Sequence, residues 1–180
     1  MVYVKKIIFI EGLPTVGKTY LVNEIRKKKL QNVHVVDELI NSDIKNVFND
    51  SEDKFLKNDE MKVNKYNVGI IIIDRGPIST LVYNQALHLI DNKYDASYVE
   101  DWFKQFLNIY KSDNTYNYYL NNPGIFNPSL NDKKNPFGSV ENLKLMHELT
   151  IFNLNKYAKN YKIFNYDKTN LEELLNEIIN

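Results

Sequence analysis

The sequence contains no cysteine and very little arginine. Only two of its 23 basic residues are arginines, Arg26 and Arg75, and the others are lysines. The lack of cysteine excludes a disulfide scaffold, a zinc–thiolate site and a cysteine nucleophile. Arginine is the side chain that best clamps phosphate through two parallel hydrogen bonds. Its scarcity therefore limits the kinds of phosphate site that these residues can build.

The sequence also lacks an excess of charge of either sign and any long apolar run. It has 23 acidic and 23 basic residues, which argues against a protein that coats nucleic acid or an anionic membrane. Its first apolar run, at 7–10, is followed at once by Glu11 and is far shorter than the roughly 18 residues of a membrane span. We therefore expect a cytoplasmic protein whose partners are small molecules.

Short apolar runs alternate with helical patterns along the whole chain. Its 180 residues, 43% of them hydrophobic, suit one folded domain over 1–180. Five runs are typical of strands: 3–10, 33–36, 70–73, 116–120 and 161–165. The segments between them favour helices near 53–66, 77–90, 99–106, 139–157 and 171–178, with Leu143, Met146, Leu149 and Phe152 on one side of the fourth. This alternation predicts a three-layer α/β/α sandwich around a parallel sheet.

The segment 12–19 reads GLPTVGKT and matches G-x-x-x-x-G-K-[ST] in full. Glycines let the backbone approach phosphate oxygens, and the amides of the following helix converge on them. Lys18 would reach the β- and γ-phosphates, and the Thr19 hydroxyl would bind Mg²⁺. The alternative is a glycine turn followed by a capping threonine. The residues predicted to hold the donor nucleotide here are Gly12, Thr15, Val16, Gly17, Lys18 and Thr19.

A second group of polar residues follows the third strand. Asp74 and Arg75 come directly after four isoleucines, at the sheet edge where ligands bind in parallel α/β proteins. Asp74 would join Thr19 at the Mg²⁺ ion, and Arg75 would stabilise the transferring phosphoryl group. The alternative is an ion pair that caps the helix beginning near Pro77.

The end of the second strand carries Asp37 and Glu38, which we expect to project toward the phosphate loop. A carboxylate there would accept the proton of a hydroxyl acceptor, and the alternative is a carboxylate at a helix start with no reaction partner. Arg26, by contrast, lies in a lysine-rich run at the end of the helix that follows the phosphate loop, and we interpret it as solvated. The irregular stretch 121–138 is predicted to be a lid, with Lys133 and Lys134 as its cations.

Taken together, these motifs resemble the deoxynucleoside kinase and thymidylate kinase group of P-loop kinases. The resemblance is carried by Phe9-Ile10-Glu11-Gly12, by Asp74-Arg75 and by the lid about fifty residues later. It implies strand order 2-3-1-4-5, ATP as donor with Mg²⁺, and adenine held by the loop 166–170, which includes Asp167. Base recognition would involve polar residues such as Asn58, and a homodimer stays open.

Departures from that group bear on the acceptor. The lid segment has no arginine, and Gly76 stands where deoxynucleoside kinases usually carry serine. A nucleoside monophosphate needs extra cations, whereas a neutral nucleoside hydroxyl needs a carboxylate base. We therefore predict ATP-dependent phosphoryl transfer to a nucleoside hydroxyl. The alternatives are a nucleoside monophosphate kinase, a kinase of another small hydroxyl compound and a catalytically reduced nucleotide-binding module. The predicted catalytic residues are Lys18, Glu38, Asp74 and Arg75.

Overall fold

A computed structural model of the chain describes residues 5–45, 50–92, 94–126, 137–166 and 170–179. The five predicted strands are all present there, and their bounds are β1 Lys6–Gly12, β2 Val33–Val36, β3 Ile70–Asp74, β4 Thr115–Asn121 and β5 Tyr161–Asn165. The α-helices of the described part are α1 Lys18–Lys27, α2 Glu52–Asn64, α3 Pro77–Ile90, α4 Ser97–Phe103, α5 Leu107–Tyr110, α6 Val140–Tyr157 and α7 Leu171–Ile179. Short 3₁₀ turns cover Lys104–Phe106 and Pro123–Phe126.

The five strands form one parallel sheet in the order β2-β3-β1-β4-β5, as predicted. Helices cover both faces of this sheet: α1 packs against α7, whereas α3 packs against α2, α4 and α6. The central strands are apolar because both of their faces are covered, and Ile8, Phe9 and Ile10 are completely buried. The predicted three-layer α/β/α architecture is therefore confirmed.

The register of the central strands positions the two predicted motifs side by side. Ile10 of β1 pairs with Asp74 of β3, so the phosphate loop that follows β1 begins next to the carboxyl end of β3. On the other side, Gly12 pairs with Leu120 of β4. Because all the strands are parallel, their carboxyl ends meet at one edge of the sheet. That edge carries the polar residues singled out in the sequence.

One detail of the predicted helices was wrong. The side of α6 that carries buried Leu143 and Met146 does not include Phe152, which is 57% exposed. Each step of three residues falls 60° short of a full turn at 3.6 residues per turn, so nine residues reach the opposite face. The helical pattern predicted at 99–106 is present, as α4, the 3₁₀ turn that follows it and the short helix α5. In the described part of the chain, no helix combines the length and the apolar character that a membrane span requires.

Candidate active site

The loop between β1 and α1 has the backbone of a phosphate cradle. Gly12 and Gly17 have φ angles of 146° and 105°, a region that side chains with a Cβ rarely adopt. A Cβ on Gly12 would also lie 2.8 Å from the Leu120 carbonyl oxygen. No side chain caps the N-terminus of α1, so its first amides stay open toward the loop. Thr19 does not act as a cap, since its hydroxyl donates to Asp74.

Lys18 lies folded back into the loop. Its side chain is 4% exposed, and Nζ donates to the carbonyl oxygens of Gly12 at 2.9 Å and of Leu13 at 2.7 Å. Burial, and then the nearby Arg75 guanidinium, lower the pKa of Lys18 from 10.5 to about 7. A phosphate in the loop would supply the negative charge that the two neutral carbonyl partners do not.

Thr19 and Asp74 form a second pair beside the loop. The Thr19 hydroxyl donates to Asp74 Oδ2 at 2.8 Å, which joins α1 to the end of β3. The other carboxylate oxygen, Oδ1, is buried and has no hydrogen-bond partner among the described residues. Burial raises the pKa of Asp74, and the Thr19 hydrogen bond opposes that rise. A buried carboxylate oxygen without a partner is able to accept one more contact, for example from a metal ion.

Arg75 and Glu38 meet at the mouth of the cleft. The Nε atom of Arg75 lies 2.7 Å from Glu38 Oε1, and Nη1 donates to the Gly12 carbonyl oxygen at 3.4 Å. Because Nε has no hydrogen-bond acceptor among the described residues, the contact with Glu38 is an ion pair without hydrogen-bond alignment. The cleft has a volume of about 180 Å³. Its lining residues are Thr15, Gly17, Lys18, Thr19, Tyr20, Glu38 and Arg75.

The sequence did not reveal a buried ion pair behind Arg75. Lys62 and Asp59 lie one turn apart on α2, and their Nζ and Oδ1 atoms are 2.6 Å apart. Lys62 Nζ also donates to the Arg75 carbonyl oxygen at 2.8 Å, and the Thr80 hydroxyl donates to Asp59 Oδ2 at 2.6 Å. Opposite charges three residues apart on a helix are a visible signal, but such pairs are usually solvated. Only the packing of α2 against α3 shows that this one is buried.

Glu11 of β1 holds the turn that follows β3. It is completely buried, accepts from the Gly76 amide at 2.9 Å and also accepts from the Ser79 hydroxyl. Burial raises the pKa of Glu11. A Cβ on Gly76 would lie 2.5 Å from Phe9 Cδ1 and 2.8 Å from Glu11 Oε1. This crowding explains why position 76 is a glycine.

Two further polar residues have roles other than those predicted. Asp37 does not face the phosphate loop but pairs with Arg26 at 2.6 Å on an exposed surface. Asn58 is buried, accepts from the amides of Ile40 and Asn41 and donates to the Glu38 carbonyl oxygen at 2.8 Å. These three bonds hold the segment that carries Glu38. The sequence alone did not indicate this supporting role.

Some sequence-predicted residues lie outside the described ranges: Lys133, Lys134 and most of the lid, and also Asp167. The three histidines do not form a cluster, and His147 Nδ1 shares a hydrogen bond of 2.6 Å with the Tyr119 hydroxyl.

Among the described residues, no group of three or more histidine, aspartate or glutamate side chains is arranged to hold a metal. A single carboxylate and a hydroxyl suit Mg²⁺ that is held mainly by substrate phosphates.

No family model and no curated protein sequence matches the chain, whereas solved structures of several kinases do. Thymidylate kinase from Candida albicans superposes with a TM-score of 0.64 at 14% identity, covering 99% of this chain and 91% of that one. Deoxyadenosine kinase from M. mycoides with bound dATP gives a TM-score of 0.63 at 14% identity, covering 97% of this chain and 100% of that one. Thymidylate kinase from Ehrlichia chaffeensis gives 0.60 at 14% identity, covering 98% and 97%.

These similarities extend over almost the full length of each protein. At 14% identity they establish a shared backbone arrangement and leave the chemistry to be argued from the residues themselves. The resemblance noted in the sequence is thus confirmed for the fold. This chain has the P-loop kinase fold, a five-stranded parallel sheet with the phosphate loop after its central strand.

Proposed function

We propose that the protein transfers the γ-phosphoryl group of ATP to a hydroxyl group of a nucleoside. The observation that carries this proposal is one cleft lined by Lys18, Arg75 and Glu38, with Asp74 joined to it through the Thr19 hydroxyl. In this proposal Lys18 and Asp74 serve the donor, and Arg75 and Glu38 serve the transfer to the acceptor. Structural similarity to thymidylate kinase and deoxyadenosine kinase supports a kinase of this general class.

The residues present fit ATP and Mg²⁺. The open amides of α1 and the folded-back Lys18 suit the β- and γ-phosphates, because both favour negative charge in the loop. Thr19 and the unpartnered Oδ1 of Asp74 are hard oxygen ligands of the kind that Mg²⁺ prefers, directly or through its waters. The bound metal would neutralise charge on the phosphates during transfer.

The chain's own residues then have distinct tasks in the transfer. The acceptor hydroxyl oxygen forms a bond to the γ-phosphorus as the bond to the β-phosphate oxygen breaks, and ADP leaves. Glu38 accepts the hydroxyl proton, since its carboxylate lies at the cleft mouth. Arg75 turns from Glu38 toward the phosphoryl oxygens, and Lys18 balances the charge on the leaving ADP.

The small number of cations in the cleft favours a neutral acceptor. Among the described residues that line it, Lys18 and Arg75 are the positively charged ones. Lys18 is assigned to the donor and Arg75 to the transferring group, which leaves no further described cation for an acceptor phosphate. A nucleoside monophosphate kinase is the second candidate, supported by the similarity to two thymidylate kinases.

The deciding measurement is ADP release from ATP with nucleosides and nucleoside monophosphates tested side by side. Glu38→Gln should lower turnover of a nucleoside by about 10²-fold or more, because the proton acceptor is lost. Asp37→Asn is the matched control, since this neighbouring carboxylate pairs with Arg26 away from the cleft and its loss should leave turnover unchanged. Turnover of monophosphates alone would establish the second candidate. ATP binding without turnover of any acceptor would instead indicate a nucleotide-binding module.

A further inference from the structure

The backbone of Arg75 has a conformation that needs support. Its φ angle is 59°, in the left-handed region that a non-glycine residue adopts when its surroundings hold it there. The amide of Arg75 donates to the Ile10 carbonyl oxygen at 3.0 Å, which ties it to β1. The carbonyl oxygen of Arg75 accepts from Lys62 Nζ at 2.8 Å, which ties it to α2. The peptide units on both sides of the Arg75 Cα are thus fixed by separate elements.

The Lys62 ammonium is itself held in place by a chain of charged and polar contacts. Its Nζ lies 2.6 Å from Asp59 Oδ1, and Asp59 Oδ2 accepts from the Thr80 hydroxyl of α3. Lys62 and Asp59 are both 2% exposed. These contacts leave the lysine little freedom to point elsewhere, because its stem is packed and its charge is paired.

A buried ion pair is an unusual way to stabilise a core. The loss of hydration offsets most of the attraction between the two charges, and apolar side chains of similar volume often stabilise a fold as well or better. This pair does something that apolar side chains would not do, since it aims a charged donor at the carbonyl oxygen of a cleft residue.

We propose that Lys62, oriented by Asp59 and Thr80, is a positioning residue that holds the Arg75 backbone in its left-handed conformation. This conformation directs the guanidinium toward Glu38 and the phosphate loop. Lys62 does not line the cleft and would act through Arg75 alone. The effect of this positioning on catalysis rests on the proposed function, whereas the positioning itself does not.

Nuclear magnetic resonance of the arginine side chains tests the positioning without any enzyme assay. Because Arg26 and Arg75 are the only arginines, a ¹³C-detected Nε–Cζ spectrum contains two arginine signals, and Arg26→Lys assigns them. The test variant is Asp59→Leu/Lys62→Met, which removes both charges together and so leaves no unpaired buried ion. Glu38→Gln supplies the reference spectrum of Arg75 without its ion-pair partner.

In the double variant, the Arg75 signal should move from its wild-type position toward the position seen in Glu38→Gln. The Arg26 signal should stay in place, because Arg26 pairs with Asp37 on an exposed surface and contacts neither Lys62 nor Asp59. An Arg75 signal that is unmoved in the folded double variant would overturn the proposal. Thr80→Val provides a milder test that decides alone if the double variant does not fold. It should move the Arg75 signal in the same direction, and no movement would again overturn the proposal.

Thr150→Val is the matched control for Thr80→Val. Thr150 is also buried, but its hydroxyl donates to the Met146 carbonyl oxygen within α6. Its replacement should leave both arginine signals in place. Movement of the Arg75 signal by the same amount in Thr150→Val would mean that the signal reports general loosening of the core, and that result would also overturn the proposal.

Turnover distinguishes this inference from the proposed function. The double variant should lower kcat by about 10²-fold in the otherwise wild-type chain, because small displacements of a catalytic group have effects of that size. In the Arg75→Ala background the same double substitution should change kcat by less than about twofold, because the group that it positions is gone. Equal losses in both backgrounds would overturn the proposal. If no acceptor is phosphorylated by the wild type, the proposed function fails, and the arginine spectra still decide the positioning.

Discussion

Two buried lysines lie within the same region of the sheet edge and are held in opposite ways. Lys18, in the phosphate loop, is 4% exposed and donates to two neutral carbonyl oxygens, those of Gly12 and Leu13. Lys62, on α2, is 2% exposed and lies 2.6 Å from the Asp59 carboxylate. The charge on Lys62 is thus paired within the protein, whereas Lys18 contacts no carboxylate through its hydrogen bonds.

Under the proposed function, Lys18 is a lysine that binds a ligand phosphate, whereas Lys62 stabilises the protein's own structure. A buried cation without an anionic partner destabilises the fold and becomes favourable when phosphate arrives. A buried cation with a carboxylate partner is part of the fold, and removing one partner leaves the other buried without a counter-charge. The two positions should therefore respond differently to the same substitution.

The largest expected effect is that of Lys18→Met on turnover. Under the proposed function, losing the cation that binds the donor phosphates should lower kcat by about 10³-fold. The free energy of unfolding of the ligand-free protein should rise at pH 6, because a charge that is costly to bury is removed. Steady-state kinetics and urea denaturation measure the two effects. A Lys18→Met protein as unstable as Lys62→Met would remove the distinction between the two lysines.

The second effect is on stability, at Lys62. Lys62→Met alone leaves Asp59 buried without its partner and should lower the free energy of unfolding by about 3–5 kcal/mol. Asp59→Leu added to it should restore most of that loss, since both charges are then absent. Denaturant titrations of the wild type, the single variant and the double variant provide the test. A double variant less stable than Lys62→Met alone would contradict the expectation.

The two lysines also show what the sequence could reveal. Lys18 belongs to a contiguous motif of eight residues, and the glycines, the strand before it and the helix after it are all local signals. The five strands were equally recognisable, because a parallel sheet covered on both faces leaves continuous apolar runs such as the four isoleucines at 70–73. The predicted neighbourhood of Thr19 and Asp74 followed from the same logic and is present at 2.8 Å.

What the sequence could not reveal depends on contacts between distant segments. Lys62 and Asp59 look like an ordinary solvated pair on a helix until the packing of α2 buries them. The support of the Glu38 segment by Asn58 joins residues twenty positions apart. Asp37 and Glu38 are adjacent, yet one pairs with Arg26 and the other with Arg75, because neighbouring side chains point in different directions. No local pattern separates these outcomes.

A smaller effect on stability is expected at Gly76, in the turn between β3 and α3. Gly76→Ala places a Cβ 2.5 Å from Phe9 Cδ1 and 2.8 Å from the Tyr110 hydroxyl, so β3 and α3 must shift. The free energy of unfolding should fall by about 1–3 kcal/mol, as for other overpacked sites. Gly124→Ala is the control, since its nearest neighbour would be the Asn122 side chain at 3.1 Å, and it should change stability by less than about 0.5 kcal/mol. Equal losses of stability at both glycines would show that crowding around Gly76 is not the cause.

The smallest expected effect is a pH dependence that belongs to Lys18. Its pKa of about 7 in the folded chain lies below the ordinary 10.5, so the unfolded chain binds more protons between these two values. Burial of Lys18 therefore destabilises the ligand-free protein fully below pH 7. This destabilisation decreases as the pH rises from about 7 toward 10.5. Above pH 7 the Lys18 side chain of the ligand-free protein is largely neutral. Binding of ATP should return its proton, because phosphate oxygens favour the charged ammonium.

At pH 8.5, binding of ATP in the presence of EDTA should therefore take up a proton, up to about one per site, and affinity should weaken by at most about tenfold per pH unit above 7. Calorimetry in two buffers of different ionisation enthalpy measures the uptake directly. Lys18→Arg should bind ATP without uptake, because a guanidinium stays charged throughout this range. Uptake of equal size in Lys18→Arg would assign the proton to another group. No uptake in the wild type would mean that Lys18 is already charged in the empty loop, and the contrast with Lys62 would then rest on partners alone.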